Sequence, residues 1–178
     1  LFQIVPCLSI VYLKKLKQGD VIAYVGAADF ANEKRYGHMD MNRAIRSPGS
    51  TLKPFIYAMA MDETLIHSQS LLQDVPQDFN SYSPENFTEN YSGPVSVTNA
   101  LQQSLNIPAV QVLSHLGAEN FANKMTNAGL KLYLPTGAKP SLSLALGGAG
   151  VKLEELVAVY RALSSNGLAG KPRYLLEA

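Results

Sequence analysis

One cysteine, Cys7, is all the thiol this 178-residue chain contains, so an internal disulfide is excluded and cysteine usage leaves the compartment open. Charge is equally sparse, with 16% of residues charged and a formal sum of +1. A field that weak argues against nucleic acid or acidic lipid as the main partner. Long apolar runs are missing too. The most apolar opening stretch, Leu1 to Leu13, is interrupted by Gln3 and Pro6 and falls short of the ~20 residues a membrane helix needs. With no initiator Met and no basic leader, it reads as a packed strand or an added start rather than a signal peptide. No repeat and no low-complexity tract is found. His38, His67 and His115 stand apart without clustered ligand spacing, so neither a metal site nor a cofactor is expected. What is present is 47% hydrophobic content, enough for one globular domain with a sizeable core.

Two short apolar runs, Ile10 to Leu16 and Val21 to Val25, flank the turn signal Lys17-Gln18-Gly19-Asp20 and predict a β-hairpin. The polar segment Ala28 to Ser47 reads as a surface connection. Leu52, Phe55, Ile56 and Met59 then recur at helical spacing, and Pro54 fits only a first turn, so a helix should begin near Ser50. Gln73 to Pro94, rich in Pro, Asn, Ser and Asp, predicts a long irregular excursion. Helical signals return with Ser96 as a cap for a segment to about Ser104, and Asn106 as a cap for a helix ended by Gly117. A third helix runs from Ala118 to about Ala128 and stops at Gly129. The last, with Leu153, Leu156, Val157, Tyr160 and Leu163 on one face, ends at Asn166-Gly167. A hairpin followed by helices makes an α+β, mixed sheet-and-helix domain.

Gly49-Ser50-Thr51-Leu52-Lys53 is the main chemical candidate, since a Ser and a Lys three apart share one helix face, expected opposite the apolar stripe. A serine hydroxyl needs a neighbouring base, and a lysine serves once burial or a nearby cation lowers its pKa. The start of the helix would supply backbone N–H groups for an oxyanion. Taken alone, S-x-x-K also arises by chance. Ser104-Leu105-Asn106 places a hydroxyl and a carboxamide at a helix junction, where Asn106 also fits a plain N-cap. Gly147-Gly148 also fits a tight backbone turn.

The order of the motifs is more specific than any one of them. Arg46-Ser47-Pro48-Gly49-Ser50-Thr51-Leu52-Lys53-Pro54-Phe55 is followed by Gly93-Pro94-Val95, Ser104-Leu105-Asn106-Ile107-Pro108-Ala109-Val110, Leu146-Gly147-Gly148 and Leu153-Glu154. Gly19-Asp20-Val21-Ile22-Ala23-Tyr24-Val25-Gly26, Asn42-Arg43-Ala44 and Tyr82-Ser83-Pro84-Glu85-Asn86-Phe87 add to it. This ordered set resembles the serine penicillin-binding proteins, in particular the class A branch and within it the 1C type, over about residues 18–167. Residues 1–17 stay outside the resemblance, and the whole chain, 1–178, reads as a partial transpeptidase domain.

The resemblance implies a serine β-lactamase and penicillin-binding protein transpeptidase-like fold, of the α/β (α+β) class, with a helical cluster packed on an antiparallel sheet. It implies a D,D-transpeptidase that cleaves the D-Ala-D-Ala bond of peptidoglycan stem peptides and is acylated by β-lactam antibiotics. Ser50 would be the nucleophile, Lys53 the base, Ser104 a proton relay to the leaving amine, and Asn106 a holder of the substrate amide and of Lys53. Gly49, Gly147 and Gly148 would line the substrate. Full-length members are membrane-anchored, which implies the periplasmic face of the inner membrane. The family's Lys-(Thr or Ser)-Gly triplet does not follow Gly147-Gly148, and Pro135-Thr136-Gly137 lies too early and lacks the lysine. The fold is therefore expected to be incomplete, without the cation for the substrate carboxylate and one oxyanion donor, and no glycosyltransferase domain is expected. A non-catalytic module that binds peptidoglycan or partners, or an inactive truncated domain, remains the alternative.

Overall fold

The structure, a computed structural model, describes residues 10–13, 20–27, 29, 31, 33, 36–79, 82–86, 90–165, 167, 170, 173 and 174. In chain order its elements are β1 (Ile10–Leu13), β2 (Asp20–Val25), α1 (Lys53–Asp62), β3 (Leu71–Asp74), β4 (Gly93–Ser96), α2 (Val97–Gln102), α3 (Asn106–Leu116), α4 (Ala118–Asn127), α5 (Leu153–Leu163) and β5 (Arg173–Tyr174). Two 3-10 turns, Gly49–Leu52 and Leu142–Leu146, complete them. The contacts divide the chain into two compact units, one of residues 1–46, 125–133 and 151–178, the other of residues 47–124 and 134–150.

In the first unit the expected hairpin forms, with β1 antiparallel to β2 from Ile10↔Val25 to Leu13↔Val21 and a register shift between Tyr12 and Leu13. Its predicted turn, residues 17–19, lies outside the described residues, as do residues 14–16 and most of the opening stretch. β5 joins the other side of β2 in parallel, so this sheet is mixed. Within the predicted surface connection, Asn42 is buried and donates to the carbonyl of Val25 at 3.1 Å. The helix α5 buries Leu156, Ala158, Val159 and Ala162, while Val157 and Tyr160 are half-covered and Leu163 is exposed. Its inner face is thus turned toward the alanines, whose small side chains permit a closer approach than the bulky stripe read from the sequence.

The second unit is built on α3, which buries Ile107, Pro108, Ala109, Val110, Val112, Leu113 and Leu116 and is apolar nearly all round, as a core helix must be. It packs against α1, β3 and the turn Leu142–Leu146. Each fully buried Leu, Ile or Val contributes about 1.5–3 kcal/mol relative to exposure, so this helix is a major contributor to the unit's hydrophobic stabilisation. Ser96 caps α2 as predicted, its hydroxyl accepting from the Asn99 N–H at 3.2 Å. Gly117 ends α3 at φ 85°, and Gly129 follows α4 at φ 97°. The predicted excursion from Gln73 to Pro94 is only partly irregular. Its ends pair as β3 and β4, antiparallel, from Leu71↔Ser96 to Asp74↔Gly93, and close residues 75–92 into a loop. Strands of four residues with proline at a pairing position carry too little alternation to be read from sequence.

Candidate active site

The chain reaches Ser50 through Pro48 and Gly49, which takes φ 54°, and turns into a 3-10 helix that passes directly into α1 at Lys53. Helix starts leave N–H groups without internal acceptors. Here the Gly49 N–H goes to Ser47 Oγ at 3.2 Å and the Thr51 N–H to the Pro48 carbonyl at 3.1 Å. The Ser50 N–H has no acceptor among the described residues, and its side chain is exposed. Ser47 also donates to the Gly147 carbonyl at 2.8 Å, fixing the second 3-10 turn against this one. Gly147 stands there because a Cβ would lie 2.5 Å from Ser47 Oγ and 2.6 Å from the Gly49 nitrogen. A Cβ on Gly148 would overlap Ser143.

Lys53 is 1% exposed. It lies among Leu52, Ile56, Tyr57 and Ala60 on the buried side of α1, which corrects the expectation that it faces away from the apolar stripe. Its Nζ donates to the Ser104 carbonyl at 2.6 Å and to Asn106 Oδ1 at 2.8 Å, with Ser104 Oγ at 3.3 Å. Among the described residues no carboxylate lies within ion-pair distance of it. Burial without a counter-charge pulls its pKa down to about 8. An ammonium has three donors for these three oxygens, whereas the free amine has two, which the carbonyls take. Its lone pair is then left for a hydroxyl proton.

Ser104 adopts φ 54° at the end of α2, where its N–H bonds to the Leu101 carbonyl and that of Leu105 to Ala100, both at 3.0 Å. This left-handed position after a helix usually takes glycine, so a serine here carries local strain of the kind kept at functional sites. The turn aims the Ser104 carbonyl at Lys53. Asn106 is not the N-cap of α3; Leu105 is, and Asn106 occupies the first helical position. Its side chain is committed elsewhere, Oδ1 to Lys53 and Nδ2 to the Glu85 carbonyl at 2.7 Å. Its own N–H is capped by Asn86 Oδ1 at 3.0 Å.

A solvent-exposed serine at a helix start, with a buried and depressed lysine one turn on, is a nucleophile–base arrangement. Residues 10–177 match the penicillin binding protein transpeptidase domain family. The chain belongs to that family. It is 55% identical over 153 residues to penicillin-binding protein 1C of Escherichia coli, covering 86% of this chain and 20% of that protein. Penicillin-binding protein 1A of Haemophilus influenzae matches in structure with a TM-score of 0.78 at 28% identity, over 93% of this chain and 24% of that one. PonA1 of Mycobacterium tuberculosis, solved in complex with penicillin V, shares the fold with a TM-score of 0.77 at 20% identity, over 92% of this chain and 45% of that one. The chain spans about a fifth of the length of the curated relatives it matches. Penicillin-binding protein transpeptidase domains are serine acyltransferases of cell-wall synthesis that act outside the cytoplasm.

Of the residues singled out from the sequence of this penicillin-binding family member, Lys53, Ser104 and Asn106 are joined directly by hydrogen bonds. Ser50 lies in the turn leading into Lys53, and no hydrogen bond links the two side chains among the described residues. The Gly49 N–H donates to Ser47 Oγ, which donates in turn to the Gly147 carbonyl, and the two glycine backbones abut, so Gly49 and Gly147 shape that turn. Sequence reasoning missed Ser47, Asp74 and Asn86. Ser47 and Asn86 stood inside quoted motifs, but a small polar residue in a loop gives no sign of its partner.

Proposed function

We propose that this chain, residues 1–178, is the nucleophile-bearing part of a peptidoglycan D,D-transpeptidase domain. The carrying observation is the buried Lys53 amine, held by the carbonyl oxygens of Ser104 and Asn106 with no anion beside it among the described residues. Ser50 Oγ attacks the carbonyl carbon of the penultimate D-Ala while Lys53 Nζ takes its proton. The Ser50 N–H, which has no acceptor among the described residues, receives the developing oxyanion, since donors kept free of other acceptors need no reorganisation. As the C–N bond breaks, Ser104 passes a proton to the departing D-Ala nitrogen, and Asn106 Nδ2 and the Gly49, Gly147 and Gly148 turns border the bound peptide. The amine of a second stem peptide then displaces Ser50 and completes the cross-link. A β-lactam, whose strained amide takes the place of the D-Ala-D-Ala bond, stops at the acyl-enzyme. The site of action is the periplasmic face of the inner membrane.

Intact mass after incubation with benzylpenicillin tests the proposal. One equivalent is expected to add to the protein and none to Ser50→Ala. No addition, or addition that survives the substitution, overturns it.

The pH dependence follows from Lys53. Its folded pKa is depressed, so the competent free amine disappears as pH falls through about 8. Acylation should fall about tenfold per pH unit below that value and level off above it. Stability follows the same proton: the unfolded chain holds it between about 8 and 10.5 where the folded chain does not, so the fold gains stability as pH rises across that window. Quench-flow acylation rates from about pH 6 to about pH 10 check the first claim, and a flat profile contradicts Lys53 as base.

A further inference from the structure

Among the described residues of the second unit, two polar side chains outside the chemistry above are sealed from solvent: Asp74, wholly buried at the end of β3, and Asn86, 5% exposed, in the loop that β3 and β4 close. Asp74 Oδ1 accepts from Asn86 Nδ2 at 2.7 Å, and its Oδ2 from the Ser92 N–H at 2.9 Å. Asn86 Nδ2 also donates to the Asn90 carbonyl at 3.1 Å, and its Oδ1 accepts the Asn106 N–H. From Asn106 the chain continues to the Glu85 carbonyl and to Lys53.

The polarity of these bonds runs one way. A carboxamide turned end for end exchanges oxygen and nitrogen at little steric cost, so only its partners decide its orientation. A carboxylate accepts and does not donate. Asp74 therefore requires the Asn86 nitrogen on its own side and leaves the Asn86 oxygen for Asn106. Anchored so, residues 85–86 present the Glu85 carbonyl to Asn106 Nδ2, which leaves Asn106 Oδ1 for Lys53. Reversal of Asn106 would set amide hydrogens against those of Lys53.

We propose that Asp74 and Asn86 are positioning residues for Lys53, fixing through buried hydrogen bonds which atom of Asn106 meets the amine. The inference rests on the reading of Lys53 as the base. The groups facing Lys53 are Ser104 and Asn106; Asp74 is separated from it by two amides, and Tyr57, one turn along α1, is kept protonated by burial and then by the Asp74 charge.

Asp74→Asn tests it with almost no change of shape. Whichever way the new amide turns, its N–H meets a donor, at Ser92 or at Asn86. The acylation rate constant at saturating benzylpenicillin should fall about tenfold or more, while the half-saturating concentration changes less than about twofold. The paired exchange D74N/N86D reverses the polarity and again offers the Asn106 N–H an acceptor. It should regain a substantial part of the rate, limited by the Asn90 carbonyl that then faces a carboxylate. Hydrogen exchange at Lys53 Nζ, followed by NMR below its pKa, reports the positioning without any chemistry; it should be about tenfold faster in D74N and slower again in the exchange. Asn86→Ala removes the same link, should show both losses, and decides the matter where D74N does not fold. Unchanged acylation and unchanged Nζ exchange in folded D74N or N86A overturn the proposal, as does a loss tracking melting with no recovery in D74N/N86D. If the parent chain is not acylated, the transpeptidase reading falls, and Nζ exchange alone decides the positioning claim.

Discussion

Lys53→Met is expected to slow acylation of Ser50 by about 10²–10⁴-fold at neutral pH, the range that a positioned general base supplies. Methionine fills similar space but can neither take the serine proton nor donate to the Ser104 carbonyl and Asn106 Oδ1. Each acceptor left unsatisfied costs about 1–3 kcal/mol, offset by removal of a buried ammonium that has no counter-ion among the described residues. The fold should therefore survive a change that stops the chemistry. Lys53→Arg separates charge from basicity, because a guanidinium keeps its proton throughout the accessible pH range. It should be as slow as the methionine variant. Rates of β-lactam adduct formation beside urea melts check both, and an arginine variant within about tenfold of the parent would assign Lys53 an electrostatic role instead.

Gly147→Ala should destabilise the second unit by about 2–5 kcal/mol, summing a left-handed backbone cost of about 1–2 kcal/mol and overpacking of about 1–3 kcal/mol. Gly147 holds φ 92°, and a methyl there would lie 2.6 Å from the Gly49 nitrogen and 2.7 Å from its Cα. Those are backbone atoms of the turn that carries Ser50, so relief requires the turn itself to move. Acylation should fall beyond what the unfolded fraction explains. Denaturant midpoints together with rates normalised to folded protein measure the two effects. Gly49→Ala has open space at its Cβ and only the φ of 54° against it, so its stability loss should be the smaller of the two.

Asn106 shows why the site was only partly legible. Before a first-turn proline it matches an N-cap pattern, and local pattern sees only neighbours. Its actual partners are Lys53 and Glu85, 53 and 21 residues away. Asp74 and Asn86 were read as parts of a polar loop for the same reason. Lys53 was placed on the correct helix but on the wrong face, because a helical wheel assigns a lysine to solvent unless its oxygen partners are known.

By itself the sequence determined the hairpin, the extents of α3, α4 and α5, the caps at Ser96, Gly117 and Gly129, and the family, and it singled out Ser50, Lys53, Ser104 and Asn106 as candidates. These are set by the periodicity of apolar residues, by backbone-restricted residues at fixed offsets, and by an ordered set of motifs, all of which are local or linear properties. Only the tertiary structure decided that Lys53 is buried with a pKa near 8, that Asn106 turns its oxygen to it, that β3 and β4 close the loop, and that Gly147 abuts the Ser50 turn. Desolvation, hydrogen-bond polarity and steric exclusion depend on which distant segments meet, and that meeting is fixed when the core around α3 packs.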